Sequence, residues 1–257
     1  MLRPDDPLIT LKGIGPKTAV AMAAEGMRTV ADLLLHLPRR YEDRSHLTTL
    51  DGLLEPGMRV LVRGRVKSVR VRRIPRRRLH IVDGQIEDGH GSLKVVWFNQ
   101  RWLGRRLEEE PELFLFGRIR EMRGGGLELL NPEIEETAED AEGVAAIYPT
   151  LARFGGRRLR KLIKQCLPAI DLCGDPLSDT KWRPGDLPDL QRCLRELHSP
   201  TLPRNISRRE EALVELNQRR SPFHRRLSFD ELLTFACTMA ESRERRTNAS
   251  APAVRSM

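Results

Sequence analysis

Aromatic residues are scarce in this chain: they make up 5% of 257 residues, as three tryptophans, two tyrosines and seven phenylalanines. Each large ring therefore has to be accounted for by its position. No run of 18 apolar residues occurs, which excludes a membrane-spanning helix. The opening residues MLRPDDPLIT lack the apolar centre of a secretory signal. The four cysteines, Cys166, Cys173, Cys193 and Cys237, are widely spaced and include no C-x-x-C pair. A reduced, cytoplasmic protein without structural zinc is expected. Catalytic signatures are missing as well. No G-x-x-x-x-G-K-[ST] is present, and Gly15-Pro16-Lys17-Thr18 lacks the second glycine and sits outside a βα unit. G-x-S-x-G and H-E-x-x-H are absent, and the six histidines are scattered. The chain alone is expected to bind no cofactor or metal and to catalyse nothing.

What is abundant is positive charge. The formal net charge of +9 points to a polyanionic partner, nucleic acid or an anionic membrane surface. With 39% hydrophobic and 32% charged residues, the chain is globular, with material for one medium core and a satellite. From Pro56 to Val82 there are ten basic residues and no acid: Arg59, Arg63, Arg65, Lys67, Arg70, Arg72, Arg73, Arg76, Arg77 and Arg78. Such a stretch reads either as a solvated hairpin or as a polyanion-binding one, and mutual repulsion favours the second.

Residues 8 to 49 read as helical, with Val30, Leu33, Leu34 and Leu37 at helical spacing and Pro38 as the stop. Within them, Lys12-Gly13-Ile14-Gly15-Pro16-Lys17-Thr18-Ala19 sets glycines in a tight turn ahead of a helix. Free backbone N–H groups at such a turn can hold a phosphate, as in the helix–hairpin–helix motif of many DNA-binding proteins. The same glycines equally suit a plain join between two packed helices.

From residue 56 to 131 the period changes to that of strands. Met58, Val60 and Val62 alternate, and the parity slips before Val69 and Val71, which predicts a bulge or a sharp coil. RRRLHIVDGQIEDG is a second strand, with Leu79, Ile81 and Ile86 apolar. SLKVVWFN is a third, with Leu93, Val95 and Trp97 on one face. RWLGRRLEEE reads as a short helix, and ELFLFGRIREM and GLELLNPEIE as strands four and five. Five strands with a helix between the third and fourth is the order of an OB-fold barrel, a frequent oligonucleotide binder; an SH3-like barrel has the same strand count. The expected class is thus α+β, a five-stranded OB-fold β-barrel flanked by helical segments. Residues 133–142 are acidic and read as a solvated linker. Beyond them GGRRLRKLIKQCL is an amphipathic helix, with Leu159, Leu162, Ile163 and Cys166 inward and Arg158, Lys161 and Lys164 outward. LSFDELLTFACTMAESRERR is the last helix, with Asp230 near its start and Arg245-Arg246 at its end, as the helix dipole favours. The segments are 1–50 (helical), 51–137 (barrel) and 138–257 (helical).

The stretch VVWFNQRWLGRR concentrates the chemistry. If its helix begins near Asn99, Phe98 and Trp102 stand four residues apart on one side. Two rings so placed can grip a base or cap a base pair, with stacking worth roughly 1–3 kcal/mol per base. Alternatively they seal the barrel end. Asn99, Gln100, Arg101, Arg105 and Arg106 surround them, the arginines suited to adjoining phosphates.

In order, LKGIGPKTA, TVADLLLHLPRRYEDRS, the basic barrel with VVWFNQRWL, LLNPEIE, IYPTLARFGGRRLRKLIKQCL, LHSP and RRLSFDELL resemble the N-terminal part of the RecG family. These are bacterial ATP-dependent helicases that remodel stalled replication forks and Holliday junctions. The resemblance runs from about Leu8 to Arg246, with PRRYEDRS and the WFNQ stretch its most specific pieces. It implies a wedge domain, an OB-fold that splits the arms of branched DNA, with Phe98 and Trp102 stacking on the bases where the arms part. The second of these is often tyrosine in the family. The resemblance also implies single-strand-binding protein as a partner; no membrane partner and a monomer are expected. RecG continues into two motor domains that take ATP and Mg²⁺, and those cofactors would belong there, so this chain is a fragment, a split gene product or a free-standing wedge. Rival readings are a single-stranded DNA or RNA-binding OB-fold protein without helicase connection, and a membrane-surface protein using the basic hairpin.

Overall fold

The computed structural model describes residues 1–52, 54–75, 78–109, 112–122, 124–135, 137–152, 154–178, 180, 182 and 184–248. In chain order its elements are α1 (Pro16–Ala24), α2 (Val30–Leu34), β1 (Arg40–Asp43), β2 (Arg59–Ile74), β3 (Leu79–Glu87), β4 (Ser92–Phe98) and α3 (Leu103–Glu109). They continue as β5 (Leu113–Glu121), β6 (Leu127–Glu135), α4 (Ala138–Ala141), β7 (Val144–Ile147), α5 (Gly156–Cys166), α6 (Leu190–His198), α7 (Ile206–Asn217) and α8 (Pro222–Asn248). The class is mixed α+β. Contacts divide the chain into two units, Glu42–Ala145 and the combination of Met1–Tyr41 with the residues from Ala146 onward. These boundaries differ from 50/51 and 137/138, because β1 and β7 pair with each other and the unit boundary falls within both strands.

In the unit Glu42–Ala145, five strands close into a barrel in the order β2-β3-β4-β6-β5. All neighbours are antiparallel except β4 and β6, which run parallel with Val95 opposite Leu129. β2 is long enough to serve both sides of the closure. Arg59 to Gly64 pair with β5, and Arg65 to Ile74 pair with β3. Gly64 sits at the changeover, where an added Cβ would lie 2.4 Å from the carbonyl oxygen of Glu87. Only a residue without a side chain lets β2 approach β3 there. The parity slip corresponds to a register shift between Lys67 and Arg70, with Ser68 at φ 55°. One extra residue on β2 at that point is a bulge, which bends the strand.

Alternation along the strands fills the barrel. Val60, Val62 and Val66 of β2, Val82 and Ile86 of β3, and Leu93, Val95 and Trp97 of β4 form one buried cluster with Leu115, Ile119, Leu129 and Ile134. Leu103 and Leu107 of α3 complete it, so the helix between the third and fourth barrel strands plugs the interior. In β3 the inward residues are Val82 and Ile86, while Leu79 and Ile81 are only half-buried. The acidic run is also not a linker. Glu133, Ile134 and Glu135 belong to β6, Glu133 accepts from Arg44 at 3.0 Å, and Ala141 of α4 packs buried against Leu61 and Phe116. Arg44 is itself buried, 3.9 Å above the Phe116 ring, and pairs with Glu42 at 3.1 Å.

The helical unit joins both ends of the chain. Leu159, Leu162, Ile163 and Cys166 of α5 are buried, while Arg158, Lys161 and Lys164 face out, as the amphipathic pattern requires. A chain of buried polar contacts runs through this core. The Tyr41 hydroxyl donates to the Leu197 carbonyl at 2.8 Å. His198 Nε2 meets the Leu34 carbonyl at 2.7 Å and Nδ1 meets the Tyr148 hydroxyl at 2.9 Å. Burial pushes His198 down to about 4, so the ring is neutral at pH 7, donating through Nε2 and accepting at Nδ1. α8 starts at Pro222, so Asp230 lies a full two turns inside it. Its role is corrected from dipole partner to ion-pair partner: it accepts from Arg226 Nε at 2.9 Å, one turn back.

Candidate nucleic-acid interface

Along β2, Val60, Val62, Gly64 and Val66 are buried, so strict alternation turns Arg59, Arg63, Arg65 and Lys67 outward. Past the bulge the strand extends as an arm against β3, and Arg70, Arg72 and Arg73 are all exposed. Several of these charges are matched: Arg59 with Glu42, Arg63 with Glu112 at 2.8 Å, Lys67 with Glu87, and Arg72 with Asp83 at 2.8 Å. Arg65, Arg70, Arg73 and Arg78 make no ion pair among the described residues. Arg78 lies in the β2–β3 turn at φ 49°. Arg76 and Arg77 fall outside the described residues.

The register then shows what the arm faces. Arg72 pairs with Ile81 of β3, and Ile81 pairs with Phe98 of β4. Directly paired residues share a face, so Arg72, Ile81 and Phe98 form one row across three strands on the barrel's outside. Phe98 is half-buried, and its N–H donates to the Asn131 side chain at 2.8 Å. Trp97 points the other way. It is fully buried, with its indole N–H donating to the Pro132 carbonyl at 2.9 Å.

Asn99 stands at φ 57°, a left-handed conformation that asparagine tolerates, and ends β4. Its N–H donates to the His80 carbonyl at 2.7 Å, and its side chain accepts from the His80 N–H at 3.3 Å. The helix therefore starts at Leu103, not near Asn99. Phe98 and Trp102 are not two residues on one helical face; they flank a turn in which the Gln100 carbonyl accepts from Leu103 N–H at 2.8 Å. Burial of Leu103 and Leu107 fixes α3 and leaves Trp102 outside, 57% exposed. The Arg106 guanidinium lies 5.7 Å from its ring centroid. Arg101 and Arg105 are exposed beside it. Gly104 lets α3 come close to the arm, since a Cβ there would lie 2.4 Å from Val71.

A concavity of about 510 Å³ is lined by Val71, Arg72, Arg73, His80 and Arg101. All its ionisable groups are basic. His80 escaped the sequence reading, because only the β2–β3 register, Arg73 opposite His80, puts it there. A larger hollow of about 630 Å³ has Arg63, Arg65 and Lys67 but also Glu87, Asp88 and Glu112, a mixed lining that suits a polyanion less. Among the described residues no helix is long and apolar enough to cross a membrane.

Residues 7–170 match the family model for the RecG wedge domain. This chain belongs to the RecG wedge domain family. The ATP-dependent DNA helicase RecG of Escherichia coli (strain K12) is 32% identical over 240 residues, 91% of this chain and 33% of that protein. The RecG of Thermotoga maritima is 30% identical over 165 residues, 62% of this chain and 20% of its own length. A solved structure of RecG bound to a three-way DNA junction superposes with a TM-score of 0.68 at 23% identity, over 96% of this chain and 32% of that one, and supports the fold. The chain spans about a third of the length of the E. coli RecG it matches. For this RecG wedge, the pieces of sequence behind the resemblance now divide by role. Tyr41 of PRRYEDRS, Tyr148 of IYPT and Leu197-His198 of LHSP meet in the buried polar network, so they hold the helical unit together. VVWFNQRWL is the piece that carries the exposed Trp102 ring.

Proposed function

We propose that this chain is the branched-DNA-binding wedge of a RecG-type ATP-dependent helicase acting in DNA repair and recombination. On this reading the barrel is an OB-fold, supported by its strand order and by the parallel β4–β6 closure. The observation that carries the proposal is Trp102, a large ring 57% exposed beside Arg101, Arg105 and Arg106. An exposed indole costs solvation in isolation and gains where it stacks on an unpaired base. Phe98 adds a second ring across the turn, and Arg63, Arg65, Arg70, Arg72, Arg73, Arg76, Arg77 and Arg78 supply phosphate contacts along the hairpin. That the E. coli relative is an ATP-dependent DNA helicase, and the structural neighbour a RecG on a three-way junction, supports the same reading.

ATP and Mg²⁺ do not fit the residues present. Gly15-Pro16-Lys17-Thr18 follows a 3₁₀ turn at Leu8–Thr10 instead of a strand, so it is not the strand–loop–helix of a phosphate loop. On this reading those cofactors would belong to the length of the relatives that this chain does not span. The setting on this reading is the cytoplasm, with the chain monomeric and single-strand-binding protein a further partner.

The test is a panel of fork, duplex, single-stranded DNA and RNA of equal length, read by fluorescence anisotropy across a salt series. The fork is expected to bind tightest, with log affinity falling by about 0.9 per phosphate contacted for each decade of salt. Equal affinity for single strands and RNA would replace the wedge with a plain single-strand binder.

A further inference from the structure

We propose that the outer face of α5 in the helical unit is a second phosphate-binding surface, one that takes the backbone of duplex DNA. It rests on the DNA-binding reading only in its choice of polyanion. α5 carries Arg157, Arg158, Arg160, Lys161 and Lys164, and no Asp or Glu occurs from Val144 to Ile170. Its inner side is buried apolar surface, which fixes the rotation of the helix and leaves Arg158, Lys161, Lys164 and Gln165 exposed.

The glycine loop Lys12–Pro16 is fastened along this face. The Lys12 N–H donates to Gln165 Oε1 at 3.1 Å, and Gln165 Nε2 donates back to the Lys12 carbonyl at 3.2 Å. Arg158 Nη2 donates to the Gly13 carbonyl at 2.9 Å, its guanidinium 4.1 Å from the Phe154 centroid. These tethers are two turns apart on α5, about 10 Å at 1.5 Å per residue, with Lys161 between them. Lys12 of the loop is thereby held next to Lys161 despite the distance in sequence, and Lys17 follows on α1. Lys12, Lys17 and Lys161 are exposed and form no ion pair among the described residues.

Holding Lys12 beside Lys161 by hydrogen bonds, neither of them in an ion pair among the described residues, is unfavourable until a polyanion arrives. The chemistry favours DNA over an acidic protein. α5 exposes no apolar side chain, whereas protein interfaces draw their affinity from buried aromatic and aliphatic anchors. Phosphate neutralisation needs none. A row of about 10 Å spans about three steps of a strand that carries one charge per ~3.4 Å.

The decisive variant is Lys12→Gln/Lys17→Gln/Lys161→Gln in the full 257-residue chain. All three side chains are exposed, so an unchanged melting curve is expected. The slope of log affinity against log salt, negative in the wild type, should become shallower by about 2–3 on blunt duplex and on fork alike, with the fork-to-duplex ratio unchanged. Charge reversal by Lys161→Glu alone should move the slope in the same direction. A folded triple variant with an unaltered slope overturns the proposal while leaving the barrel reading in place, since that reading is tested by fork preference. Competition by polyglutamate as effective as by duplex of equal charge overturns the assignment to DNA.

Discussion

Trp97→Ala lowers folding stability by about 3–5 kcal/mol, the range for removing a large buried ring. The side chain is fully buried and touches the barrel cluster from β4, where no neighbouring backbone can collapse into the void without breaking the β3 and β6 ladders. The indole N–H also satisfies the Pro132 carbonyl. Trp97→Phe separates the two contributions: it retains most of the volume and leaves that buried acceptor without its donor, a loss of roughly 1–3 kcal/mol. Urea unfolding followed by circular dichroism measures both variants. Wild-type stability in Trp97→Ala would mean that the barrel interior is not packed as described.

Asp175→Ala has an effect of similar size in the other unit. Arg226 is fully buried, and its guanidinium meets the Asp175 carboxylate through two bonds of 2.6 and 3.0 Å. It also donates to the Pro188 carbonyl at 2.7 Å and to Asp230. Asp175 accepts from the Leu177 and Leu190 N–H groups, so it ties α8 to the connector before α6. Removing the carboxylate strands a buried cation, which costs about 3–5 kcal/mol. The hydrogen bonds from Arg226 outweigh burial and hold Asp175 down to about 2. A depressed folded-state value means that the carboxylate contributes its full stability above about 4, the ordinary aspartate range. That contribution fades as pH falls from about 4 towards 2, where the folded group takes up its proton. Melting followed over that window should show the wild type losing stability more steeply than Asp175→Ala. Parallel curves would contradict the pairing.

How much of this was legible in the sequence follows from range. The five barrel strands, the bulge before Val69 and the buried stripe of α5 are local patterns, and each is found where the spacing predicts it. Long-range partners could not be read. Residues 133–142 look solvated because the cation that pairs Glu133 is Arg44, far away in sequence and itself buried. Asp230 resembles a helix-start acid until Arg226 and an earlier start of α8 are known. The candidate site was half legible. The rings and arginines were visible, but the helix start depended on Asn99 adopting a left-handed conformation, and His80 depended on the register. Asparagine at the end of an apolar strand is the one local signal that pointed to the break.

The central claim is that Trp102 and Phe98 stack on bases exposed at a DNA branch. The most direct measurement is the fork and duplex affinity of Phe98→Ala, Trp102→Ala and Trp102→Tyr, each with its melting curve. The two alanine variants should each lose roughly 1–3 kcal/mol on the fork, one stacked base, and far less on duplex, where no base face is free. Trp102→Tyr should be nearly neutral, since a stacking ring survives. Trp102 is mostly exposed, so its removal should leave the melting temperature close to wild type. If Phe98→Ala and Trp102→Ala instead destabilise the fold as Trp97→Ala does, with fork preference intact, the rings seal the barrel and the wedge assignment is wrong.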